Sequence, residues 1–302
     1  MPASGIPTNR TNIELPNEVS GEILQKTQEG SAVMQLARQI ALPGRGLQIP
    51  IISGDPEAAW VSETGVKPVS NPTLSKKVMQ AHKLAVIVPF SDEFRRDAAA
   101  LYDALIARLP GVLAKKFDKT VFFGPTGGSL ANFDNFSGVT GYALDTSQKT
   151  AYDGLVAADT AVSTAGGMIN GYAFSPQGRG VLLAAQDADK RPLFINSVSE
   201  GAVNRILGAP VYFSSAAYKA GSAAAGSDAA VPDILGFAGD WTHAMYGVVE
   251  GVRIDYSADA TLTSGSDTIN LFQQNMFAVR AEIEVGFVAE TDYFAKLTRT
   301  HA

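Results

Sequence analysis

A chain of 302 residues can bury a substantial core, in one large domain or in two ordinary ones. Apolar residues make up 46% of it and charged residues 18%, which is the balance of a globular chain and excludes a disordered one. The net charge of −6 argues against a dedicated DNA-binding protein, and no apolar run approaches the roughly 20 residues of a transmembrane helix, so no contact with a membrane is expected.

The N-terminal region is predicted to be an arm followed by a helix. Residues 1–18 are polar and lack the apolar core of a secretory signal. From Glu18 to Ile40 the apolar spacing predicts a helix, interrupted at Gly30 and Ser31 and resumed over residues 32–40. Pro43 and two nearby glycines end this pattern.

Two strand-like runs, residues 47–53 and 77–90, bracket a polar stretch with several prolines and glycines. This arrangement predicts an extended hairpin, and a two-stranded hairpin is marginally stable in water by itself. The arm therefore needs a surface to lie on, and a neighbouring subunit is the natural candidate. Trp60 lies in this arm, either as an anchor between subunits or as part of a self-packed loop.

Two lysines, Lys76 and Lys77, lie where the arm re-enters its second strand. Charges at the edge of a strand are well solvated and discourage unwanted pairing. The same charges could contact an acidic patch on a neighbouring subunit, and the sequence leaves both interpretations open.

A long helix is predicted over residues 90–124. Ser91 can cap its N-terminus, and Glu93 lies in the first turn, where a carboxylate complements the helix dipole. Apolar residues follow one helical face on both sides of Pro110, which is expected to kink or interrupt the helix. Since nothing along it points to catalysis, we interpret this helix as a structural spine.

The second half of the chain alternates helices and strands, after a loop over residues 122–142 that is rich in glycine, asparagine and serine. A low-complexity surface loop is expected over residues 217–233. In chain order, the pattern predicts a helix (152–163), a short strand (171–174), a helix capped by Ser175 (175–185), a strand (205–215), a buried strand (234–241), a hairpin that turns at Glu250 (244–257) and a half-buried strand (275–290).

Candidate sites for catalysis or ligands are weak, and no metal or cofactor is expected. The chain has no cysteine, and its three histidines lack the spacing of a metal site. The glycine-rich segment FFGPTGGS (residues 122–129) lacks the lysine of a phosphate loop. The segment GFAGDW (residues 236–241) does not fit a dinucleotide fingerprint and is interpreted as a turn capped by Asp240. Ser214 or Ser215 with His243 would make a hydrolase, but no nucleophile elbow is present. His82 is interpreted as a packed or partly exposed histidine rather than a ligand.

A series of short motifs runs along most of the chain. The first are Trp60-Val61-Ser62-Glu63, Lys67-Pro68-Val69-Ser70-Asn71-Pro72, and Phe90-Ser91-Asp92-Glu93 with Asp97. Later ones are Phe123-Gly124, Phe174-Ser175-Pro176, Arg191-Pro192-Leu193-Phe194, Leu207-Gly208-Ala209-Pro210-Val211, Gly239-Asp240-Trp241, and then Asn275, Arg280, Glu282 and Gly286. In this order they resemble the major capsid proteins of tailed phages, which have the Hong Kong ninety-seven-type fold. The resemblance covers residues 15–300.

The resemblance implies an α+β subunit with an N-terminal arm, an extended E-loop, a peripheral P domain and an axial A domain. The corresponding segments are the arm with its helix (1–43), the E-loop with its flanking strands (44–89), the P-domain spine helix (90–124), the A domain (125–248) and the return strands of the P domain (249–302), whose end could lie back on the A domain. The residues expected between subunits are Trp60, Glu63, Lys67, Lys76 and Lys77, and those of the spine are Ser91, Glu93, Asp97 and Pro110.

The resemblance also implies the function. Such subunits form hexamers and pentamers that close an icosahedral shell around double-stranded DNA, without catalysis. The implied partners are other copies of the chain, a portal, a separate scaffolding protein and DNA bound without sequence preference, while a decoration protein is left open. The shell is expected to assemble in the cytoplasm of the host bacterium and to remain in the virion.

Two further points follow from the resemblance. Some relatives lock the shell through an E-loop lysine and an asparagine of a neighbour. Lys76 or Lys77 could occupy that place, but no motif fixes the partner, so contacts are expected to be non-covalent. An encapsulin-like compartment with the same fold is the first alternative, and a serine hydrolase is the second.

Overall fold

The computed structural model describes residues 30–54, 58–63, 66–67, 69, 73–97, 105–144, 151–186, 191–194, 205–223, 230–264 and 267–301. The predicted N-terminal arm and the first part of its helix, residues 1–29, lie outside the described residues. Within them, the helices are α1 (Ala32–Leu36), α2 (Asp92–Asp97), α3 (Leu109–Phe123), α4 (Ala151–Thr164) and α5 (Pro176–Ala184).

The strands vary in length and lie before, between and after these helices. They are β1 (Arg38–Ala41), β2 (Leu47–Gly54), β3 (Thr73–Met79), β4 (His82–Ser91), β5 (Gly141–Ala143), β6 (Gly171–Phe174), β7 (Arg205–Ile206), β8 (Ala209–Phe213), β9 (Asp233–Gly239), β10 (Ala244–Ser257), β11 (Thr261–Ser264), β12 (Asp267–Asn270), β13 (Met276–Ala289) and β14 (Phe294–Arg299). This mixture of helices and sheets is the α+β class that was predicted.

Two sheets and two hairpins organise the strands. One sheet has four strands in the order β1-β10-β13-β4, and the other has six in the order β5-β14-β9-β6-β8-β7. The hairpins are β2-β3 and β11-β12. The chain passes between the sheets through short 3₁₀ turns, at Trp241–His243 after β9 and at Thr291–Tyr293 after β13.

Strand β13 confirms the predicted half-buried strand near the C-terminus. Val279, Ile283 and Phe287 are 0–2% exposed, and Arg280 and Glu282 alternate with them on the wetter face. Since side chains of a strand point alternately to its two faces, one face packs on the core and the other meets solvent. The strand pairs along most of its length with β4 and with β10, so it forms the centre of the four-stranded sheet.

The predictions for α4, β6 and α5 are confirmed as well. Ser175 caps α5 because its hydroxyl oxygen accepts the N–H of Gly178 at 3.0 Å. Helices α4 and α5 bury Leu155 and Leu182 in a cluster with residues of the six-stranded sheet.

The long spine predicted over residues 90–124 is divided. Strand β4 continues to Ser91, and α2 covers Asp92–Asp97. Residues 98–104 of the predicted spine lie outside the described residues, residues 105–106 are helical, and a turn at residues 107–108 precedes α3. Pro110 lies in the first turn of α3, where its missing N–H would have had no partner inside the helix. The interruption was predicted at Pro110 and falls just before it.

Four other expectations are wrong in detail. The single strand predicted over residues 205–215 is divided into β7 and β8, which pair antiparallel across a turn at residues 207–208. The helix predicted through Ile40 ends at Leu36, because residues 38–41 pair in parallel with β10, and this tertiary pairing overrides the local pattern. Residues 77–90 form two strands rather than one, since β3 pairs with β2 and β4 pairs with β13. The expected hairpin at Glu250 is a continuous strand with register shifts around that residue, so the Glu-Gly pair marks a bulge instead of a turn.

The largest core cluster lies where α3 and the loop over residues 124–140 meet both sheets. Phe136 of this loop is 0% exposed and stacks on Phe294 with 4.4 Å between ring centroids. Its ring also meets Phe287 edge-on at 5.7 Å. Phe122 of α3 stacks on Phe237 of the six-stranded sheet at 4.7 Å. The glycine-rich loop therefore supplies aromatic core between the two sheets.

Candidate functional site

The hairpin of β2 and β3, called the arm below, leaves the body at a notch in the four-stranded sheet. Gly247 and Gly286 lie opposite each other on β10 and β13. A Cβ built on either would come within 2.7–2.9 Å of the Met79 side chain, so the two glycines make room for it. Met79 is 0% exposed and packs with Leu42 and Val288. The root of the arm is therefore fixed by burial.

A polar contact fixes the same root. The Lys77 ammonium lies 2.9 Å from a carboxylate oxygen of Asp134 and also donates to the carbonyl of Ala289. Asp134 accepts the N–H of Ala289 at 3.0 Å. Lys77 is thus paired within its own chain, whereas Lys76, the preceding residue of β3, is exposed.

The tip of the arm exposes large apolar side chains. Trp60 is 105% exposed, Val66 95% and Val69 89%. Glu63 and Lys67 lie among them and are exposed as well. Several large apolar side chains that are exposed within one short segment make that segment a candidate surface for association. The arm thus has a buried root and an apolar, solvated tip.

The residues predicted for the start of the spine lie on α2 and α3. The Ser91 hydroxyl oxygen accepts the N–H of Phe94 at 3.0 Å, the hydrogen bond of a helix N-cap. Glu93 is exposed in the first turn of α2, and Asp97 is its last residue. Pro110 is buried at the start of α3. These residues therefore belong to one connection between β4 and α3.

Asp118 of α3 is a fully buried carboxylate that joins three segments of the chain. One oxygen accepts the Ser31 hydroxyl and, at 3.3 Å, the N–H of Val33. The other accepts the N–H of Ala32 at 3.0 Å and the Ser214 hydroxyl at 2.9 Å. Asp118 therefore fixes the start of α1 and the end of β8 against α3.

The burial of Asp118 has an electrostatic cost. Burial raises its pKa from 3.8 to about 6, although the hydrogen bonds from Ser31, Ala32, Ser214 and Val33 act in the opposite direction. All four partners donate hydrogen bonds to Asp118. This arrangement suits an ionised carboxylate, because an ionised carboxylate can only accept hydrogen bonds. Sequence analysis missed this residue, but an aspartate among the apolar positions of a helix was a signal that could have found it.

The outer face of the four-stranded sheet carries cross-strand ion pairs. Lys83 and Glu284 lie opposite each other on β4 and β13 with 2.9 Å between their charged atoms. Asp255 on β10 pairs with Arg280 on β13, and Arg253 contacts its other oxygen at 2.9 Å. Burial opposes ionisation of Asp255, but the hydrogen bonds and charges of both arginines outweigh it and hold its pKa below the usual value. These pairs fix the register of the sheet.

The residues considered for a hydrolase do not form one. The Ser214 hydroxyl donates to the buried carboxylate of Asp118, and the hydrogen bonds of His243 among the described residues do not include Ser214. The Nδ1 atom of His243 lies 3.1 Å from Glu290, and its ring stacks on Tyr293 at 3.9 Å. The His82 Nε2 atom lies 2.8 Å from the carbonyl oxygen of Ala131, as expected of a packed histidine.

The described residues contain neither a candidate metal site nor a membrane-spanning helix. In that part of the chain no group of three His, Asp or Glu side chains could hold a metal ion. Nor does any helix of that part combine the length and the apolar character needed to cross a bilayer.

Comparisons with known proteins agree with this architecture. The model of the phage capsid family matches residues 12–298. A relative, the "Probable major capsid protein gp17" of Mycobacterium phage L5, is 26% identical over 95% of this chain and 90% of its own length. A solved structure from Mycobacterium phage Ogopogo has a TM-score of 0.72 at 18% identity, covering 99% of this chain and 97% of its own.

Another solved structure extends the likeness beyond mycobacterial phages. It is titled "Capsid of native GTA particle computed with C5 symmetry", and its TM-score is 0.65 at 16% identity, covering 98% of this chain and 95% of that one. At such identities the structures show the fold, while the family match covers nearly the whole chain.

Fold, arm and comparisons together define a structural protein of a phage virion and not an enzyme. The chain belongs to the phage capsid family, with the role of a major capsid protein. Capsid proteins form shells of many identical copies, so association between copies is the activity that its surfaces must serve. The compartment and hydrolase alternatives are not favoured.

Proposed function

We propose that this chain assembles into hexamers and pentamers that close an icosahedral shell around double-stranded DNA. The observation that carries the proposal is the arm, whose root is buried while its tip presents Trp60 fully to solvent. A two-stranded hairpin gains little stability alone, so its ordered state is favoured when the tip lies on another subunit. Repeated symmetric contacts of one kind close a shell.

We further propose how the segments divide among the domains of such a subunit. The arm corresponds to the E-loop, and the four-stranded sheet with α2 and α3 corresponds to the P domain. The six-stranded sheet with α4 and α5 corresponds to the A domain, and β14 carries the C-terminal region back to it. The core around Phe136 would keep the two domains together while the arm reaches outward.

The contacts of the arm are proposed to be non-covalent and to involve Trp60, Glu63, Lys67 and Lys76. Lys77 supports them indirectly, because its ion pair with Asp134 orients the root of the arm. Tryptophan supplies a large apolar area with few rotatable bonds, which is why it is enriched among the residues that dominate interfaces. Assembled particles should therefore run as single chains on denaturing gels, and a ladder of covalent oligomers would contradict this.

Other partners follow from the same proposal. A portal and a separate scaffolding protein would join the chain during assembly in the cytoplasm of the host bacterium. Packaged DNA would contact the inner surface through its phosphates, without sequence preference. A decoration protein could bind the outer surface.

Replacing Trp60 by alanine tests the role of the arm. The loss of an interface tryptophan costs about 2 kcal/mol or more, roughly 30-fold in the association constant of each contact. Met168→Ala is a matched control, because Met168 is 72% exposed but lies far along the chain from the arm. Sedimentation velocity should show that the Trp60 variant needs a higher protein concentration to form particles, whereas the control behaves like the wild type.

Two outcomes would count against this role. Assembly of the Trp60 variant at the wild-type concentration would show that the tip makes no important contact. Loss of helical circular dichroism in the isolated variant would show that Trp60 supports the fold of the subunit instead.

A further inference from the structure

A row of cations covers the exposed face of α3. Arg108, Lys115 and Lys119 follow each other with Val112 between the first two, at spacings of four, three and four residues, and such positions share one helical face. Lys116 lies beside them, four residues after Val112. All four cations are exposed, and the opposite face is buried. At 1.5 Å per residue the row is about 17 Å long.

Several cations in the described part of the chain form ion pairs with carboxylates, unlike these four. Lys77, Lys83, Arg280 and Arg299 all form ion pairs with carboxylates. Within the described ranges, no member of the row on α3 does so. The chain contains 30 acidic and 24 basic residues, so a group of unpaired cations on one helix is not a consequence of composition.

The row continues beyond the end of α3. Phe123 lies four residues after Lys119, and the Lys219 ammonium lies 5.8 Å from the centre of its ring. Lys296 is close enough to Lys219 that, besides burial, the charge of Lys219 lowers its pKa. Like charges held this close raise the electrostatic energy of the surface, and a bound anion would lower it.

We propose that the exposed face of α3, continued by Lys219, binds the phosphate backbone of double-stranded DNA. This surface is called the α3 stripe below, and the proposal rests on the proposed shell, because only a shell would bring DNA to it. Duplex DNA carries one negative charge per about 1.7 Å of its axis when both strands are counted, so a segment as long as the row, about 17 Å, contains on the order of ten phosphates.

The chemistry of the α3 stripe favours DNA over an acidic protein segment. A helical peptide normally docks through an apolar groove, whereas the row on α3 offers one half-exposed valine among its cations. Three of the four cations in the row are lysines, which act as point charges that suit phosphates in many positions. Binding would therefore be independent of sequence and sensitive to salt.

A triple substitution tests the proposal. In one variant Lys115, Lys116 and Lys119 become glutamine, which is also a good helix former. In the control variant the exposed Arg38, Arg45 and Arg205 become glutamine, so each variant loses three positive charges and its net charge changes from −6 to −9. A third variant with arginine at the three lysine positions keeps the charge and should bind like the wild type.

The measurement is fluorescence anisotropy of a labelled 30-base-pair duplex (about 100 Å long) with the unassembled full-length chain, at several salt concentrations. Each lysine that contacts a phosphate contributes about 0.9 to the slope of log K against log salt, or about eightfold in affinity at 0.1 M salt. For the glutamine variant, the slope of log K against log salt should therefore be smaller in magnitude by up to about 2.7. The slope and the affinity of the control should stay close to those of the wild type. Equal losses in the two variants would overturn the proposal.

Polyglutamate serves as the competing ligand. If the glutamine variant lost affinity for polyglutamate but bound DNA like the control, the surface would belong to an acidic protein and the proposal would be overturned. Electron micrographs of the same preparations separate this result from the proposed function. If the wild type forms normal shells but the glutamine variant and the control bind DNA equally well, only the proposed DNA binding by the α3 stripe is refuted. If the wild type forms no shells, the proposed shell is refuted.

Discussion

The buried carboxylate of Asp118 allows a quantitative prediction for Asp118→Asn. Each carboxylate oxygen accepts one backbone N–H, from Val33 on one side and from Ala32 on the other. An amide keeps a single oxygen, so one of these N–H groups would face an NH₂ group and lose its partner. The unpaired donor should lower the free energy of unfolding by about 1–3 kcal/mol.

The effect of the substitution should also depend on pH. The pKa of Asp118 rises from 3.8 to about 6 on folding, which corresponds to about 3 kcal/mol. Because the folded state holds the proton more tightly, this contribution to stability is fully present below the unfolded pKa of 3.8 and is lost as the pH rises through 6. Asparagine does not titrate. The advantage of the wild type over the variant should therefore grow by up to about 3 kcal/mol between pH 7 and pH 4.

Urea unfolding followed by tryptophan fluorescence at several pH values measures this difference. The other carboxyl groups titrate in both proteins, so the difference between the two curves isolates Asp118. Ser214→Ala is a control that removes one donor but keeps the carboxyl group. Because the hydrogen bond from Ser214 lowers the pKa of Asp118, this variant should lose stability with rising pH at least as strongly as the wild type. Parallel pH dependence of the wild type and Asp118→Asn would refute the assignment of a raised pKa.

The remaining predictions concern the core and the root of the arm. Phe136→Ala should lower the free energy of unfolding by about 3–5 kcal/mol, because the ring packs between the two sheets, and a loss below about 1 kcal/mol in urea titrations would contradict that position. A double-mutant cycle of Lys77→Met and Asp134→Asn should give a coupling of about 1 kcal/mol or less, because about a third of each side chain is exposed. A coupling above about 2 kcal/mol would show that solvent does not screen this pair.

Elements with one clear period could be predicted from the sequence. Strand β13 alternates between Val279 and Val285, and Phe287 follows in the same period, so Val279 and Phe287 had to lie on the same buried face. Helix α5 combines a serine cap with a proline in its first turn, a pair that defines a helix start locally. In both elements the local pattern and the tertiary packing favour the same structure.

The remaining elements depend on contacts that are distant in sequence. Residues 38–41 become a strand only because β10 lies beside them, more than 200 residues later. The Glu250-Gly251 pair resembles a turn, but pairing with β13 holds β10 extended on both sides of it. Asp118 depends on Ser31 and Ser214, which are 87 and 96 residues away, so no local pattern could pair them.

The position of Trp60 in assembled particles tests the central claim most directly. Cryo-electron microscopy of the purified full-length chain under assembly conditions should show closed icosahedral shells, with the indole of each Trp60 buried against a neighbouring subunit. A chain that stays monomeric under all such conditions, or shells in which Trp60 remains exposed to solvent, would contradict the account.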